Sequence, residues 1–249
     1  MSHNTAIIIQ ARLGSTRLPK KIMLPFQETT ILQYIINKLT VLNLPIIVAT
    51  TTSEKDQPLV DYLKEKNIKY AVGSEQDVLS RYIQAAEQYN VDNIIRVTSD
   101  NPFININYIE KLLTLFNKNI NADYWSLSIN NTPTVLTHYG IFAELVSLKA
   151  LKDLHTNSTE PSHKEHVTYG VYTNPSLYNI VLQDITEEMH PYANIRLTVD
   201  TPEDYEIVKD LEQHFHNFDT ISFNQLGDYI NSNPAILDRM SSIIEQNKK

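Results

Sequence analysis

The sequence has no cysteine and only five glycines among its 249 residues. Without cysteine, a disulfide framework, a thiolate-bound metal centre and a catalytic thiol are excluded. So few glycines exclude collagen-like and glycine-rich repeats, and the dinucleotide fingerprint G-x-G-x-x-G does not occur. No run approaches the ~20 apolar residues that a membrane-spanning helix needs. A formal net charge of -8 argues against a general nucleic-acid-binding protein.

The composition is otherwise that of an ordinary globular protein. Hydrophobic residues make up 42% of the chain, and the mean hydropathy is -0.29. The apolar run Ala6–Ile9 is too short for a secretion signal and is followed by basic residues, so we expect a cytoplasmic protein. The length suits one sizeable core without a linker, and we expect a single domain over residues 1–249.

Strand-like and helix-like patterns alternate through the first half of the chain. They predict strands at 6–10, 46–51, 68–72 and 93–98, and helices at 29–40, 54–66, 76–89 and 106–116. This alternation indicates an α/β fold with a mostly parallel sheet. Ligands bind at the carboxyl ends of such strands, so the loops after these strands are the places to search for a site. In the less regular second half, strands are predicted at 134–145, 178–183 and 194–200, and helices at 145–154, 161–171 and 202–214.

The loop after the first strand is strongly cationic. No acidic residue precedes Glu28, whereas four cations lie within ten positions of one another: Arg12, Arg17, Lys20 and Lys21. Gly14 permits a positive φ, and forked arginine donors with a mobile lysine suit phosphate oxygens. This combination suits a nucleoside triphosphate; the alternative is a solvated basic loop.

Two aspartates are predicted at the carboxyl ends of strands. Asp100 follows the strand at 93–98, and Asp200 ends the strand predicted at 194–200. Carboxylate, phosphate and water oxygens are the ligands that Mg²⁺ prefers. Either aspartate could instead cap a turn or a helix. Together with the cationic loop, they predict a site for a magnesium-bound triphosphate.

The segment Gln10–Lys21 resembles the nucleotide-binding signature of sugar-acid cytidylyltransferases, the CMP-Kdo and CMP-sialic acid synthetases. The chain is still more similar to the related family of spore-coat polysaccharide biosynthesis protein F, over roughly residues 5–215 and in the same motif order. The matching segments are 47–52, 73–82, 96–102, 165–168 and 196–206. The resemblance implies a Rossmann-like nucleotide-diphospho-sugar transferase fold of the GT-A type, with a mostly parallel mixed sheet flanked by helices. It also implies magnesium-dependent transfer of CMP from CTP to an acidic sugar, of the nonulosonic acid or Kdo type, with release of pyrophosphate.

The resemblance also implies roles for individual residues. Arg12, Arg17 and Lys21 would act in catalysis, and Asp100 and Asp200 would hold Mg²⁺. The nucleotide would be bound by Gln10, Arg12, Gly14, Ser15, Lys21, Ser74, Asp77, Arg81 and Thr98. The acceptor would be bound by His138, Glu144, His166 and Arg196. A nucleotide-binding half at about 1–120, an acceptor and dimerisation half at about 121–200 and C-terminal helices at 201–249 would follow. We expect a homodimer whose interface includes the stretch 119–139 with Trp125, and neither a nucleic-acid nor a membrane partner.

The sequence departs from the family pattern at two positions. Lys20 stands where the family has glycine before the lysine, and Phe142 stands where an aspartate is common. The second departure lies in the expected acceptor region, so a small phosphonate such as 2-aminoethylphosphonate stays open as the acceptor. A GT-A glycosyltransferase, an enzyme using UTP or GTP and a non-catalytic binding protein stay open as well. The glycosyltransferase would normally need a D-x-D motif, which the segment Ser99–Asn101 lacks.

Overall fold

The main sheet runs through both halves of the chain. The structure, a computed structural model, describes residues 4–247. The sheet consists of β1 (Thr5–Gln10), β4 (Ile46–Thr51), β5 (Lys69–Gly73), β6 (Asn93–Thr98), β7 (Tyr124–Ile129), β8 (Thr132–Pro133), β9 (Glu144–Ser147) and β10 (Ile180–Asp184). A separate hairpin pairs β2 (Pro25–Phe26) with β3 (Thr29–Thr30).

The strand order of the main sheet is β10-β7-β9-β6-β1-β4-β5, and β8 pairs with β7. Strand β9 is antiparallel to β6 and β7, and β8 is antiparallel to β7; the other pairs are parallel. The sheet is therefore mostly parallel and mixed, as predicted. The carboxyl ends of β1, β4, β5 and β6 lie side by side, which brings their loops to one edge.

Helices cover both faces of the sheet. They are α1 (Ile31–Leu39), α2 (Gln57–Glu65), α3 (Val78–Gln88), α4 (Ile106–Lys118), α5 (Leu148–Asn157), α6 (Pro161–Glu165), α7 (Tyr169–Tyr172), α8 (Thr186–Met189), α9 (Pro202–His214), α10 (Phe223–Asn231) and α11 (Pro234–Asn247). Alternate side chains of β1 enter different cores: Ile7 and Ile9 pack on one face of the sheet and Ala6 and Ile8 on the other. A strand buried on both faces explains the unbroken apolar run at this point of the sequence.

The predicted elements of the first half are confirmed to within a few residues, and β4, β6 and α9 coincide with their predicted bounds. The prediction of a strand at 194–200 is wrong. Ile195, Leu197 and Val199 are buried in alternation, as in a strand. Their backbone, however, bonds to loops: the N–H of Leu197 donates to Tyr139 O and that of Val199 to Asp100 O. The segment is thus extended, but it joins no ladder.

The region 134–145 is also not a strand or a strand pair. A 3-10 turn at Thr134–Leu136 leads into a loop, and β9 begins only at Glu144. Within the loop Gly140 has φ 69°, and a Cβ there would lie 2.6 Å from the backbone nitrogen of Thr198. Gly140 therefore turns the chain against the segment that ends at Asp200, which a regular strand could not do.

Three other predictions for the second half need correction. The segment predicted as a helix at 145–154 begins as β9, and α5 starts after Ser147, whose side chain accepts a hydrogen bond from the N–H of Ala150. The helix predicted at 161–171 is divided into α6 and α7. Within the stretch 119–139, Trp125 is fully buried against Phe116 and cannot contribute surface to a dimer, whereas Ile120 and Leu136 are exposed.

Across residues 4–247, no helix is long and apolar enough to cross a membrane.

Candidate active site

The cationic loop is held in place by a buried carboxylate. Asp56 follows β4 and is 1% exposed. It accepts hydrogen bonds from the backbone N–H of Leu13 at 2.6 Å and from the hydroxyl of Thr51. The carbonyl of Leu13 in turn accepts from the N–H groups of Ser15 and Lys20. The loop is therefore wrapped around Leu13, and its cations are presented from a fixed backbone.

The left-handed residue of this loop is Lys20, whereas Gly14 has no positive φ. Lys20 has φ 56° and ψ 25°. The positive φ that Gly14 permits is therefore not used, and a Cβ at Gly14 would meet only an ordinary contact at 3.7 Å. The position where the resembling family has glycine is the one that needs the left-handed backbone, and here a lysine bears the resulting strain.

We expect Lys20→Gly to stabilise the protein by about 0.5–1 kcal/mol, because glycine removes the left-handed strain but has more entropy to lose on folding. Lys20 is exposed and makes no ion pair within the described chain, so little else changes. The free energy of unfolding in urea measures the effect. Lys20→Ala, which loses the charge and keeps the strain, is the control. A Lys20→Gly variant no more stable than Lys20→Ala would contradict the prediction.

Lys21 lies between the two aspartates. Its Nζ donates to Asp100 Oδ2 and to Asp200 Oδ1, both at 2.8 Å. Burial alone would lower the pKa of Lys21, but Asp100 and Asp200 raise it above its ordinary value. The sequence prediction that the cationic loop and the two carboxylates share a site thus agrees with the geometry, although Asp200 is on an extended loop and not at the end of a strand.

Further cations surround Asp200. Arg196 Nη2 donates to it at 3.1 Å, and Arg17 Nη2 lies 3.7 Å away. Burial alone would raise the pKa of Asp200, but Lys21, Arg17 and Arg196 lower it below the ordinary value. Arg196 also donates through Nε and Nη2 to the buried Asp204, which closes the capping box of α9 with Thr201. These contacts fix Asp200 in position at the edge of the sheet and favour its ionised form.

Two cavities meet at this cluster. The larger has a volume of about 750 Å³ and is lined by the predicted nucleotide-site residues Gln10, Arg12, Ser15, Arg17, Lys21 and Arg81. The smaller has a volume of about 300 Å³ and is lined by the predicted acceptor-site residues His138, Glu144, His166 and Arg196. Four residues line both: Arg96, Asp100, His166 and Asp200. The arrangement suits two ligands that react with each other beside the aspartates.

Some predicted nucleotide-site residues lie outside the larger cavity. Gly14, Ser74 and Asp77 line neither cavity, and Thr98 lines only the smaller one. Asp77 is the N-cap of α3, where its side chain accepts from the N–H of Ser80, and Ser74 Oγ accepts from the N–H of Asp77. Their role is to begin the helix. That helix carries Arg81, which is 3% exposed and has no carboxylate within 4 Å among the described residues.

Glu144 lines the smaller cavity, where it was predicted to bind the acceptor, and its carboxylate is engaged by neighbouring side chains. It is 1% exposed. Its carboxylate accepts hydrogen bonds from Arg96 Nη1 at 2.6 Å, Tyr124 Oη at 2.6 Å and Thr168 Oγ1 at 2.9 Å. Three donors therefore hold a carboxylate that has little contact with solvent.

Arg96 is a site residue that the sequence prediction missed. It lies in β6 and lines both cavities. Its Nη2 donates at 3.0 Å to Gln10 Oε1, which fixes the amide of Gln10 at the floor of the larger cavity. Burial alone would lower the pKa of Arg96, but Glu144 raises it. The available signal was a charged residue inside an otherwise apolar strand, matched by a glutamate at the start of β9.

The remaining acceptor-site residues come from loops. His138 and Tyr139 lie in the loop before β9, where their rings stack, and not on a strand with Glu144. His166 follows α6 and caps its C-terminus. Phe142 packs against Tyr108 with the ring centroids 4.8 Å apart. At position 142, where the resembling family commonly has an aspartate, Phe142 instead packs in an aromatic cluster and lines the smaller cavity with its own ring.

Asp100 and Asp200 fit a Mg²⁺ site only if a bound ligand supplies further oxygen atoms. Within residues 4–247 no group of three or more His, Asp or Glu side chains could hold a metal. Asp100 and Asp200 nevertheless converge on a single nitrogen atom, so two carboxylate oxygens are close enough to share a cation. Mg²⁺ is commonly held by one or two carboxylates together with substrate phosphates and water. The pair Asp100 and Asp200 matches that pattern.

Two proteins of known sequence resemble this chain along nearly their whole length. A relative in Bacillus subtilis, spore coat polysaccharide biosynthesis protein SpsF, is 30% identical over 91% of this chain and 94% of its own. An uncharacterized protein of Methanocaldococcus jannaschii is 33% identical over 95% of this chain and 94% of its own. The similarity therefore covers both cavities and the elements that support them.

Solved structures also resemble this chain along most of its length. A cytidylyltransferase from Leptospira borgpetersenii superposes with a TM-score of 0.82 at 31% identity, covering 94% of this chain and 96% of that one. A CMP-Kdo synthetase solved with CTP superposes with a TM-score of 0.61 at 17% identity, covering 84% and 98%. The predicted Rossmann-like fold of nucleotidyltransferases is thus confirmed. A sequence profile described as Cytidylyltransferase matches residues 6–222, and the chain belongs to that family of enzymes.

Proposed function

We propose that the protein transfers CMP from CTP to an acidic sugar of the nonulosonic acid or Kdo type, with Mg²⁺ and release of pyrophosphate, in surface polysaccharide biosynthesis. The observation that carries the proposal is the meeting of two cavities at Asp100 and Asp200, with Lys21 bonded to both aspartates. Family membership supports a cytidylyl donor. The names of two similar proteins, SpsF and CMP-Kdo synthetase, support a sugar acceptor and a polysaccharide pathway.

The larger cavity suits the donor. Arg12 and Arg17 are more than half exposed, so their forked donors can reach phosphate oxygens. Arg81 is a buried cation whose Nη1 donates only to the carbonyl of Ser74, and its Nε has no partner within the described chain. A buried guanidinium with no carboxylate at ion-pair distance among the described residues favours an anionic ligand beside it. The cavity therefore offers cations both at its mouth and along its wall.

The smaller cavity suits a hydroxylated acid. Five threonines line it: Thr98, Thr134, Thr137, Thr168 and Thr198. The hydroxyls of Thr137 and Thr168 already donate within the protein, to the carbonyl of Thr134 and to Glu144, so they are left to accept from sugar hydroxyls. Arg196 Nη1 makes no hydrogen bond in the described structure, since Asp200 and Asp204 engage only Nε and Nη2, and it can receive the carboxylate of the acceptor. His166 lies on the wall between the two cavities.

In the proposed reaction an acceptor oxygen forms a bond to the α-phosphorus of CTP, and the bond from that phosphorus to the bridging oxygen of pyrophosphate breaks. The acceptor hydroxyl loses its proton to solvent or to a nearby base. Lys21 and Arg17 would neutralise charge that develops on the phosphate oxygens, and the fixed loop keeps both in position. Mg²⁺, held by Asp100 and Asp200, would supply Lewis-acid stabilisation of the same oxygens.

A panel of nucleotides and acceptors tests the proposal. We expect pyrophosphate release with CTP and a sugar acid such as Kdo or a nonulosonic acid, and at least about tenfold less with UTP, GTP or ATP. Each substrate is omitted in turn, and 2-aminoethylphosphonate replaces the sugar in a parallel arm. The CMP-linked product is identified by its mass. Equal rates with UTP, turnover of the phosphonate alone, or release that does not require an acceptor would reject the proposal.

A further inference from the structure

The ammonium group of Lys21 lies where the two predicted metal ligands converge. One oxygen of Asp100 and one of Asp200 each lie 2.8 Å from Nζ. The side chain of Lys21 is only 13% exposed, and those of the aspartates are about a quarter exposed. An ammonium held by two ionic hydrogen bonds in a partly buried place is a well-fixed cation. In the nucleotide-free protein, the Lys21 ammonium therefore already serves as the counter-ion of the two carboxylates.

The charges around the pair are balanced without a metal. Ion pairs within 4 Å connect three carboxylates, Asp100, Asp200 and Asp204, with three cations, Lys21, Arg17 and Arg196. The cluster is therefore formally neutral and has no net negative charge that would attract a free divalent cation. A divalent cation between the two aspartates would also meet the Lys21 ammonium at close range, where like charges repel strongly.

A triphosphate changes this balance because it brings several negative charges into the adjoining cavity. Lys21 and Arg17 line that cavity, so phosphates bound there would compete with the two aspartates for both cations. The two carboxylates would then lose their counter-ions in the same step. A divalent cation, repelled before, would now be attracted by carboxylate and phosphate oxygens together.

We propose that Lys21 is a resident counter-ion that keeps divalent metal out of the Asp100–Asp200 pair until a nucleoside triphosphate draws the ammonium away. The inference rests on the proposed function for the identity of the triphosphate, but its central claim concerns the nucleotide-free protein. Metal and nucleotide then bind with positive coupling, since each removes the contact that opposes the other. The free enzyme is protected from binding a metal with no substrate present.

Binding of Mn²⁺ to the nucleotide-free protein tests this, followed by the loss of the electron paramagnetic resonance signal of the free ion. We expect Lys21→Met to bind Mn²⁺ at least about tenfold more tightly than the wild type, because the competing ammonium and its repulsion are gone. Lys20→Met is the matched control: it removes the same charge from the neighbouring, exposed residue, and its affinity should stay within about twofold of the wild type.

A double variant locates the metal. Lys21→Met combined with Asp100→Asn should lose the gain, since one of the two oxygen ligands becomes an amide. Circular dichroism and Tm establish that each variant is folded, and Lys21→Gln replaces Lys21→Met if the latter is not. Wild-type affinity in the Lys21 variants, an equal gain in Lys20→Met, or a gain that survives in the double variant would each overturn the inference. No nucleotide is present in these measurements, so their outcome is independent of whether CTP is the donor.

Discussion

An Asp100→Asn variant should release pyrophosphate about 10²–10³ times more slowly than the wild type at saturating CTP and acceptor, while its Tm stays close to that of the wild type. The substitution keeps the shape of the side chain and removes its charge. Asp100 makes its side-chain contact with Lys21 alone, so few native interactions depend on it. Its place on the wall shared by both cavities makes the charge matter for the reaction. Steady-state kinetics with a coupled pyrophosphate assay gives kcat directly.

Asp238→Asn is the control for the loss of one carboxylate. Asp238 is exposed on α11, and its side chain makes no hydrogen bond or ion pair within residues 4–247. It should retain full activity. A kcat of Asp100→Asn within about tenfold of the wild type would remove Asp100 from the reaction, and with it the proposed metal site.

The second large effect is expected on stability. Glu144→Ala should lower the free energy of unfolding by about 3–5 kcal/mol, because it leaves the buried Arg96 without a counter-charge. It also deprives the hydroxyls of Tyr124 and Thr168 of their acceptor, each of which adds a desolvation cost. Urea denaturation followed by circular dichroism measures the change.

A double variant that removes both charges distinguishes the effect of the unpaired charge from the effect of the lost side-chain packing. The double variant Arg96→Met with Glu144→Leu should be more stable than Glu144→Ala, since no unpaired charge remains buried. It should nevertheless be nearly inactive, because Gln10 loses the Arg96 contact that fixes its amide. If Glu144→Ala unfolds at the same urea concentration as the wild type, Glu144 does not bear the structural role assigned to it.

The regular elements could be predicted from the sequence because their periodicity is local. Strands β4 and β6 and helix α9 have unbroken patterns and clear ends, and their predicted bounds agree with the structure. The segment 194–200 shows the limit of this reasoning. Alternate burial of Ile195, Leu197 and Val199 gives the same pattern as a strand, yet the partners of the backbone are loops that only the tertiary structure brings near.

The site was predictable where charge is concentrated in one stretch of sequence. The cationic loop and the two aspartates are of this kind, and the structure brings Lys21 into contact with both Asp100 and Asp200. The buried carboxylates that hold the site in place could not be predicted, because they are single residues on separate elements. Asp56 reaches the loop across 43 positions and Glu144 reaches Arg96 across 48. A buried anchor such as Glu144 therefore cannot be told from a ligand by its position in the sequence.

The shared wall between the cavities has a consequence for how acceptor preference can change. Changes at Asp100, Asp200 or Arg96 alter the walls of both cavities at once. Val135, Leu136 and Phe142, by contrast, touch only the smaller cavity. Substitutions in the loop before β9 can therefore reshape the smaller cavity without touching a residue that lines the larger one. The two cavities can thus change shape separately everywhere except at the residues that line both.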